Sequence, residues 1–150
     1  FLLLVTPLTI ADLPLVLDLE QRTFARPWSR GSFLMALASP QQIFFVVKEG
    51  ERLLGYIGLW RMYDSVHITN IAVEPESRRQ GIAWRLLEEA EQWASGMPLT
   101  LEVRLGNSPA RALYEKFGFE ARGVRPGYYE DNGEDAVVMW KEFNVENTGD

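Results

Sequence analysis

Residues Val66 to Val103 read as strand, helix and strand without a break, and no other part of the chain restricts the fold as much. His67 to Val73 is strand-like, and Glu74-Pro75 closes it. Ile82, Leu86, Ala90 and Trp93 then recur at helical spacing, with Leu87 and Ala94 beside them. Arg85, Glu88, Glu89 and Gln92 take the opposite face, so the helix has one buried side. Gly96-Met97-Pro98 stops it, and Leu99 to Arg104 is a short strand. Strands joined in this way lie parallel, with a right-handed crossover. The turn into the helix is Arg78-Arg79-Gln80-Gly81-Ile82-Ala83, which is basic and contains a glycine. Backbone N–H groups at a helix start have no intrahelical partner, and the helix dipole favours an anion there. The turn lacks both the Gly-rich dinucleotide pattern and the Gly-Lys-Ser/Thr of the P-loop.

The remaining elements follow from pattern and punctuation. Leu2 to Leu8 reads as a strand. Thr9-x-x-Asp12 resembles a capping box, with a helix to about Arg22. Arg26-Pro27-Trp28-Ser29 is a break, and Ser29 caps a second helix to about Ala38, ended by Ser39-Pro40. Ile43 to Lys48 and Arg52 to Met62 form a hairpin about Glu49-Gly50-Glu51. Asn107 or Ser108 caps a fourth helix with Ala110, Leu113, Tyr114 and Phe117 on one face, and Pro109 is tolerated in its first turn. Glu120 to Val124 and Ala136 to Phe143 are the last strands, joined by an acidic loop from Gly127 to Asp135. Residues 144–150 read as a polar tail. The hairpins are antiparallel and the crossover is parallel, so the sheet is mixed. The chain reads as one α/β (α+β) domain over 1–150, with its core at about 5–143.

Composition removes several kinds of chemistry. Without cysteine there is no disulfide, thiol nucleophile or Cys-based metal site. A single histidine, His67, argues against a zinc site or a Ser-His-Asp triad. A formal charge of −6 gives no basic footprint for nucleic acid and suits a basic peptide or polyamine, although solubility alone also explains it. No apolar run approaches the roughly 20 residues of a membrane span. Phe1 to Val5 is too short for a signal segment, and the chain starts without Met, so processing or trimming is expected. The expected compartment is the cytoplasm.

The turn Arg78 to Ala83 matches Arg/Gln-x-x-Gly-x-Gly/Ala, the coenzyme A signature of the GCN5-related N-acetyltransferases. The chain resembles that superfamily over roughly Val5 to Phe143. Further stretches resemble the bacterial ribosomal-protein alanine N-acetyltransferases of the RimI type. These are Glu20-Gln21-Arg22 with Pro27-Trp28-Ser29, then Asn70-Ile71-Ala72-Val73, then Leu101-Glu102-Val103-Arg104. After them come Asn107, Ala112-Leu113-Tyr114-Glu115, Gly118-Phe119, Tyr128-Tyr129 and Glu134-Asp135-Ala136. Ala83 departs from the Gly more usual in that subfamily. The resemblance implies a sheet of about seven strands with four helices, splayed between its two parallel central strands.

The resemblance also assigns roles. The amides of Arg78, Arg79, Gln80, Gly81, Ile82 and Ala83 would hold the coenzyme pyrophosphate, with Gly81 sparing a Cβ. The exposed backbone edge of Ile71, Ala72 and Val73 would pair with the pantetheine arm and donate to the oxyanion. Glu102 would be the general base, because an α-ammonium has a pKa of about 8 and must lose a proton before attack. Tyr114 would be the general acid for the thiolate. Asn107 would contact the coenzyme, and Trp28, Tyr128 and Tyr129 would line the acceptor channel. Ordinary explanations stand beside these: a solvent-facing carboxylate for Glu102, packing for Tyr114 and Trp28, a helix cap for Asn107, and a solvated hairpin for the acidic loop. His67 reads as a strand-surface residue. The implied activity is transfer of acetyl from acetyl-CoA, with no metal, to the N-terminal alanine of a basic ribosomal-protein peptide. Another amine, or coenzyme binding without turnover, are the alternatives.

Overall fold

The computed structural model describes residues 3–142. Leu2, Phe143 and the tail at 144–150 lie outside them. Among the described residues there are seven strands: β1 (Val5–Pro7), β2 (Gln42–Glu49), β3 (Arg52–Arg61), β4 (Val66–Val73), β5 (Leu99–Arg104), β6 (Glu120–Tyr129) and β7 (Glu134–Lys141). The helices are α1 (Leu13–Thr23), α2 (Arg30–Ala38), α3 (Ile82–Ala94) and α4 (Ser108–Phe117). The sheet runs β1-β2-β3-β4-β5-β7-β6, antiparallel except for the β4–β5 pair.

Two apolar layers cover the sheet. Ile82, Leu86, Leu87, Ala90 and Ala94 of α3 pack with Leu99, Leu101 and Val103 of β5 and with Tyr114 of α4. On the other face, Leu13, Val16 and Leu19 of α1 pack with Phe33 of α2 and with Phe44, Tyr56 and Ala72 of the sheet. The caps work locally. Ser29 Oγ accepts the Ser32 N–H at 3.1 Å, and Asn107 Oδ1 accepts that of Ala110 at 3.3 Å. The Asp12 carboxylate accepts both the N–H and the hydroxyl of Thr9 at 3.0 Å and pairs with Lys48 at 2.7 Å.

The central feature is a sheet that opens. β4 and β5 are paired only at Val66–Leu99 and His67–Thr100. Beyond that rung Ile68 to Val73 and Leu101 to Arg104 have no ladder between them. A bulge starts the divergence. Gly58 is level with Asn70 and Leu59 with Ile68, so Thr69 is an extra residue in β4. Bulges raise local twist and bend the strand that carries them. Gly58 makes room for this one: a Cβ there would lie 2.3 Å from Asn70 Oδ1 and 2.6 Å from Thr69 Oγ1.

Two expected boundaries of the last hairpin are wrong. β6 does not stop at Val124 but runs to Tyr129, and β7 begins at Glu134. The Gly127–Asp135 segment is therefore a strand end and a tight turn. Gly123, Pro126 and Gly127 suggest a loop in the sequence, but β6 is an edge strand, where proline and bulges are tolerated. Its register shifts between Arg125 and Tyr129, where the Gly127 N–H donates to the Asp135 carboxylate at 2.8 Å. No helix among the described residues is long and apolar enough to cross a membrane.

Candidate active site

The turn from Arg78 to Ala83 lies at one end of the opening, between β4 and α3. A short 3-10 turn, Pro75–Ser77, leads into it. That turn is anchored by the Glu74 N–H on the Leu54 carbonyl at 2.8 Å, by Arg22 on the Glu74 carboxylate, and by Arg52 on Ser77 Oγ at 3.3 Å. Arg79 then has φ 65° and Gly81, the N-cap of α3, φ 79°. Left-handed backbone at a non-glycine residue is strained and marks a position that the surroundings dictate. The first α3 bond back to the cap is from the Arg85 N–H to the Gly81 carbonyl at 3.0 Å. The N–H groups of Ile82, Ala83 and Trp84 therefore have no backbone acceptor among the described residues, which leaves a cradle at the positive end of a helix. Apart from its chain neighbours, no atom of the described residues lies within 4 Å of where a Gly81 Cβ would be, so the glycine serves both backbone conformation and access.

Glu102 and Tyr114 stand on opposite faces of the sheet. Leu101 and Val103 point into the α3–α4 layer, and Glu102 points the other way, between the sheet and the open α1–α2 side. Its side chain is 14% exposed. Glu102 Oε1 lies 3.3 Å from His67 Nε2 and accepts the Tyr128 hydroxyl at 3.3 Å. Oε2 makes no hydrogen bond to the described residues and is not sealed from solvent. Burial alone would raise the carboxyl pKa. The His67 hydrogen bond and charge, the Arg125 charge and the Tyr128 hydroxyl outweigh it and hold the pKa below the usual glutamate value.

Tyr114 lies in the α3–α4 layer, its ring 5.8 Å from that of Phe119. Its hydroxyl makes no hydrogen bond to the described residues, yet is not a sealed orphan. Burial, with the nearby Tyr129 adding to it, pushes its pKa up to about 12. The phenol thus stays protonated at neutral pH and keeps a proton to give.

His67 was the residue that sequence reasoning undervalued. It is half-buried, not a surface residue. Nδ1 lies 2.9 Å from Thr100 Oγ1 and Nε2 faces Glu102. The available signal was the parallel pair itself. A rung that places His67 level with Thr100 puts it on the face of Glu102, two residues further along β5.

The acceptor-side candidates divide. Tyr128 and Tyr129 meet edge to face at 5.1 Å, and the Arg104 guanidinium covers the Tyr129 ring at 4.0 Å. Trp28 packs on Phe33 at 5.2 Å and on Phe44 at 5.7 Å, so the packing explanation holds for its ring. Asn107 performs its cap through Oδ1, and its side-chain N–H groups make no hydrogen bond to the described residues. The acidic turn is largely engaged within the protein. Asp131 and Glu134 pair with Arg104 at 2.9 and 3.2 Å, and Asp135 serves Gly127. Glu130 is exposed and meets Arg26 at 3.0 Å, which joins the α1–α2 connection to the β6–β7 turn. Among the described residues no group of three or more His, Asp or Glu could hold a metal ion.

A mixed sheet opened between two parallel strands, with an anion cradle at one end, defines a class of coenzyme-dependent acyl-transfer folds. Residues 13–119 match the model of the Acetyltransferase (GNAT) family, and the chain belongs to that family. It is 39% identical over 139 residues to a putative ribosomal protein bS18-alanine N-acetyltransferase of Bacillus subtilis, covering 90% of this chain and 92% of that one. It is 34% identical over 140 residues to the Escherichia coli enzyme of that name, covering 90% and 94%. The crystal structure of the Escherichia coli ribosomal-protein-S18-alanine N-acetyltransferase superposes with a TM-score of 0.85 at 31% identity, covering 99% and 100% of the two chains. Arabidopsis thaliana NAA60 in complex with acetyl-CoA shares the fold, with a TM-score of 0.84 at 19% identity over 95% and 99%.

Proposed function

We propose that this chain transfers acetyl from acetyl-CoA to the N-terminal alanine of a ribosomal protein. One observation carries the reading: the sheet opens between β4 and β5, with a carboxylate on one face and a protonated phenol on the other. Two substrates entering from opposite faces meet in that gap.

The coenzyme occupies the α3–α4 side. The backbone amides of Arg78 to Ala83 hold its pyrophosphate, and the Asn107 amide group supplies a further donor. The unpaired edge of Ile71, Ala72 and Val73 takes the pantetheine arm as an added strand and presents an N–H to the oxyanion. The peptide lies on the α1–α2 side, between Trp28 and the Tyr128–Tyr129 pair. Glu102 takes a proton from the peptide ammonium through Oε2, directly or across one water. The freed amine attacks the thioester carbon and the C–N bond forms; as the C–S bond breaks, Tyr114 gives its proton to the departing thiolate, and the second proton lost by the nitrogen passes through solvent to restore the phenol. With no cysteine to carry an acyl group, the attack is direct. A large part of the rate comes from holding two reactants in one geometry. The depressed Glu102 pKa fits a short-lived proton relay more than a strong base.

The ribosomal substrate rests on the named relatives, and a basic peptide on the net charge of −6. The engagement of Asp131 and Glu134 with Arg104 leaves Glu130 as the most available carboxylate of that turn. The cytoplasm is the compartment of such a substrate. The test incubates the protein with acetyl-CoA and an Arg-rich peptide beginning with Ala, and reads peptide mass. A gain of one acetyl group, lost when the α-amine is blocked, is the expected result. No gain under conditions where coenzyme A still binds would overturn the reading.

A further inference from the structure

Behind the open strand lies a buried carboxylate that this chemistry does not use. Glu20, near the end of α1, is 1% exposed. Three donors from three parts of the fold converge on it. Oε1 accepts the Tyr56 hydroxyl of β3 and the Asn70 amide of β4, the latter at 3.2 Å. Oε2 accepts the backbone N–H of Trp28, in the α1–α2 connection, at 2.9 Å. No Lys, Arg or His among the described residues pairs with Glu20.

A buried carboxylate without a cation is expensive, and an apolar side chain would fill the same space at lower cost. Packing therefore does not explain a glutamate here. The donors do. All three need an acceptor, and a carboxylate is the side chain that offers acceptors on both oxygens. Burial and the Glu20 charge raise the Tyr56 pKa far above its usual value, so Tyr56 remains a donor.

Two of the groups joined in this way, Asn70 and the connection that carries Trp28, lead to the reaction gap. Asn70 directly follows the bulged Thr69 and precedes Ile71, where β4 has left β5. The connection that carries Trp28 also carries Arg26, which reaches Glu130 on the β6–β7 turn. That hairpin brings Tyr128 to Glu102. Arg22, two residues after Glu20, holds Glu74 at the end of β4. We propose that Glu20 is a positioning residue for the acceptor: it seats the α1–α2 connection, at Trp28, against the bulged segment of β4. One wall of the acceptor channel is thereby fixed relative to the strand that presents the thioester. The proposal rests on the acetyltransferase reading for its kinetic consequence but not for the seat itself.

Glu20→Gln is selective. The Oε1 side receives two donors, so the amide oxygen stays there and the NH2 turns toward Trp28, donor against donor. Full-length E20Q should exchange the Trp28 amide hydrogen at least tenfold faster. The KM for the Ala-initiated peptide should rise about tenfold, with the KM for acetyl-CoA within twofold of wild type. Val16→Ala, in the same helix and the same apolar layer, provides a variant of comparable thermal destabilisation and should leave the peptide KM unchanged. Asn70→Ala breaks the β4 end of the link and should raise the peptide KM as well, which keeps the question open to decision if E20Q does not fold. An unchanged peptide KM in both E20Q and N70A, or an equal rise in V16A, overturns the proposal. If wild type acetylates no amine, the acetyltransferase reading fails. Trp28 exchange then decides the seat, and wild-type protection in E20Q overturns it.

Discussion

The donor and acceptor sides of the gap are built from different materials. On the function proposed above, the coenzyme side is main chain: the amides from Arg78 to Ala83, two left-handed residues and the free edge of β4. The acceptor side is side chain: Glu102 held by His67 and Tyr128, with Tyr129 under Arg104 and a loop seated on Glu20. The residues of the turn are consecutive, so a six-residue motif contains them all. Side-chain clusters are assembled from distant strands and turns, and no local motif contains them. The contrast also implies that the two sides fail differently when mutated.

The largest expected effects are on the acceptor side and in the chemistry between the sides. Glu102→Gln removes the proton acceptor and should lower kcat by about 10²-fold or more, with acetyl-CoA binding intact. Tyr114→Phe should lower kcat by about 10²-fold at little cost in thermal stability, because the lost hydroxyl has no hydrogen-bond partner among the described residues. A Y114F enzyme turning over at the wild-type rate would remove Tyr114 from the chemistry. Since burial pushes the Tyr114 pKa up to about 12, activity should show no loss from its ionisation up to about pH 10.

An intermediate effect separates the materials directly. Gly81→Val forces a β-branched residue to φ 79°, at a cost of about 1–3 kcal/mol. Released by moving the turn, that strain misaligns the amides, and the KM for acetyl-CoA should rise about tenfold or more with peptide KM little changed. Gln80→Ala, which removes a side chain from the same turn and keeps its backbone, should stay within about threefold. Comparable losses in the two variants would mean that side chains, not amides, bind the pyrophosphate.

This difference also explains what could be read from the sequence. The amphipathic faces of α3 and α4, the β2–β3 hairpin and the Ser29 and Asn107 caps depend on contacts within a few residues, and the parallel crossover follows from the order of its elements, so all were legible. The opposed directions of Glu102 and Leu101 follow from strand alternation. The Glu20–Tyr56–Asn70 cluster joins residues 36 and 50 positions apart, and a single sequence does not record which rung faces which. The bulge at Thr69 was hidden for the same reason, because one extra residue shifts pairing without changing composition. Tyr128 and Tyr129 were identified, but their strand was not, since edge-strand glycine and proline look the same as a turn.

His67 gives a smaller effect on turnover than Glu102 or Tyr114 and the sharpest test of the acceptor cluster. His67→Val removes the hydrogen bond to Oε1 and, once the imidazole is protonated, its charge. Tyr128 and Arg125 still face the carboxylate, and Tyr129 lies close by, so Glu102 stays oriented and kcat should fall by no more than about tenfold. The carboxyl itself should respond more clearly. In the wild type its folded pKa lies below the unfolded value, so it contributes stability at neutral pH that is lost as pH falls through the folded pKa. Without His67, burial pushes upward against less opposition, and the pKa rises. Carboxyl carbon shifts followed by NMR should therefore titrate at higher pH in the H67V protein, and its acid-side loss of thermal stability should begin at correspondingly higher pH. A Glu102 titration unmoved by the substitution would show that Arg125 and Tyr128 alone hold the carboxylate, and that the imidazole is a neighbour of the site without being part of it.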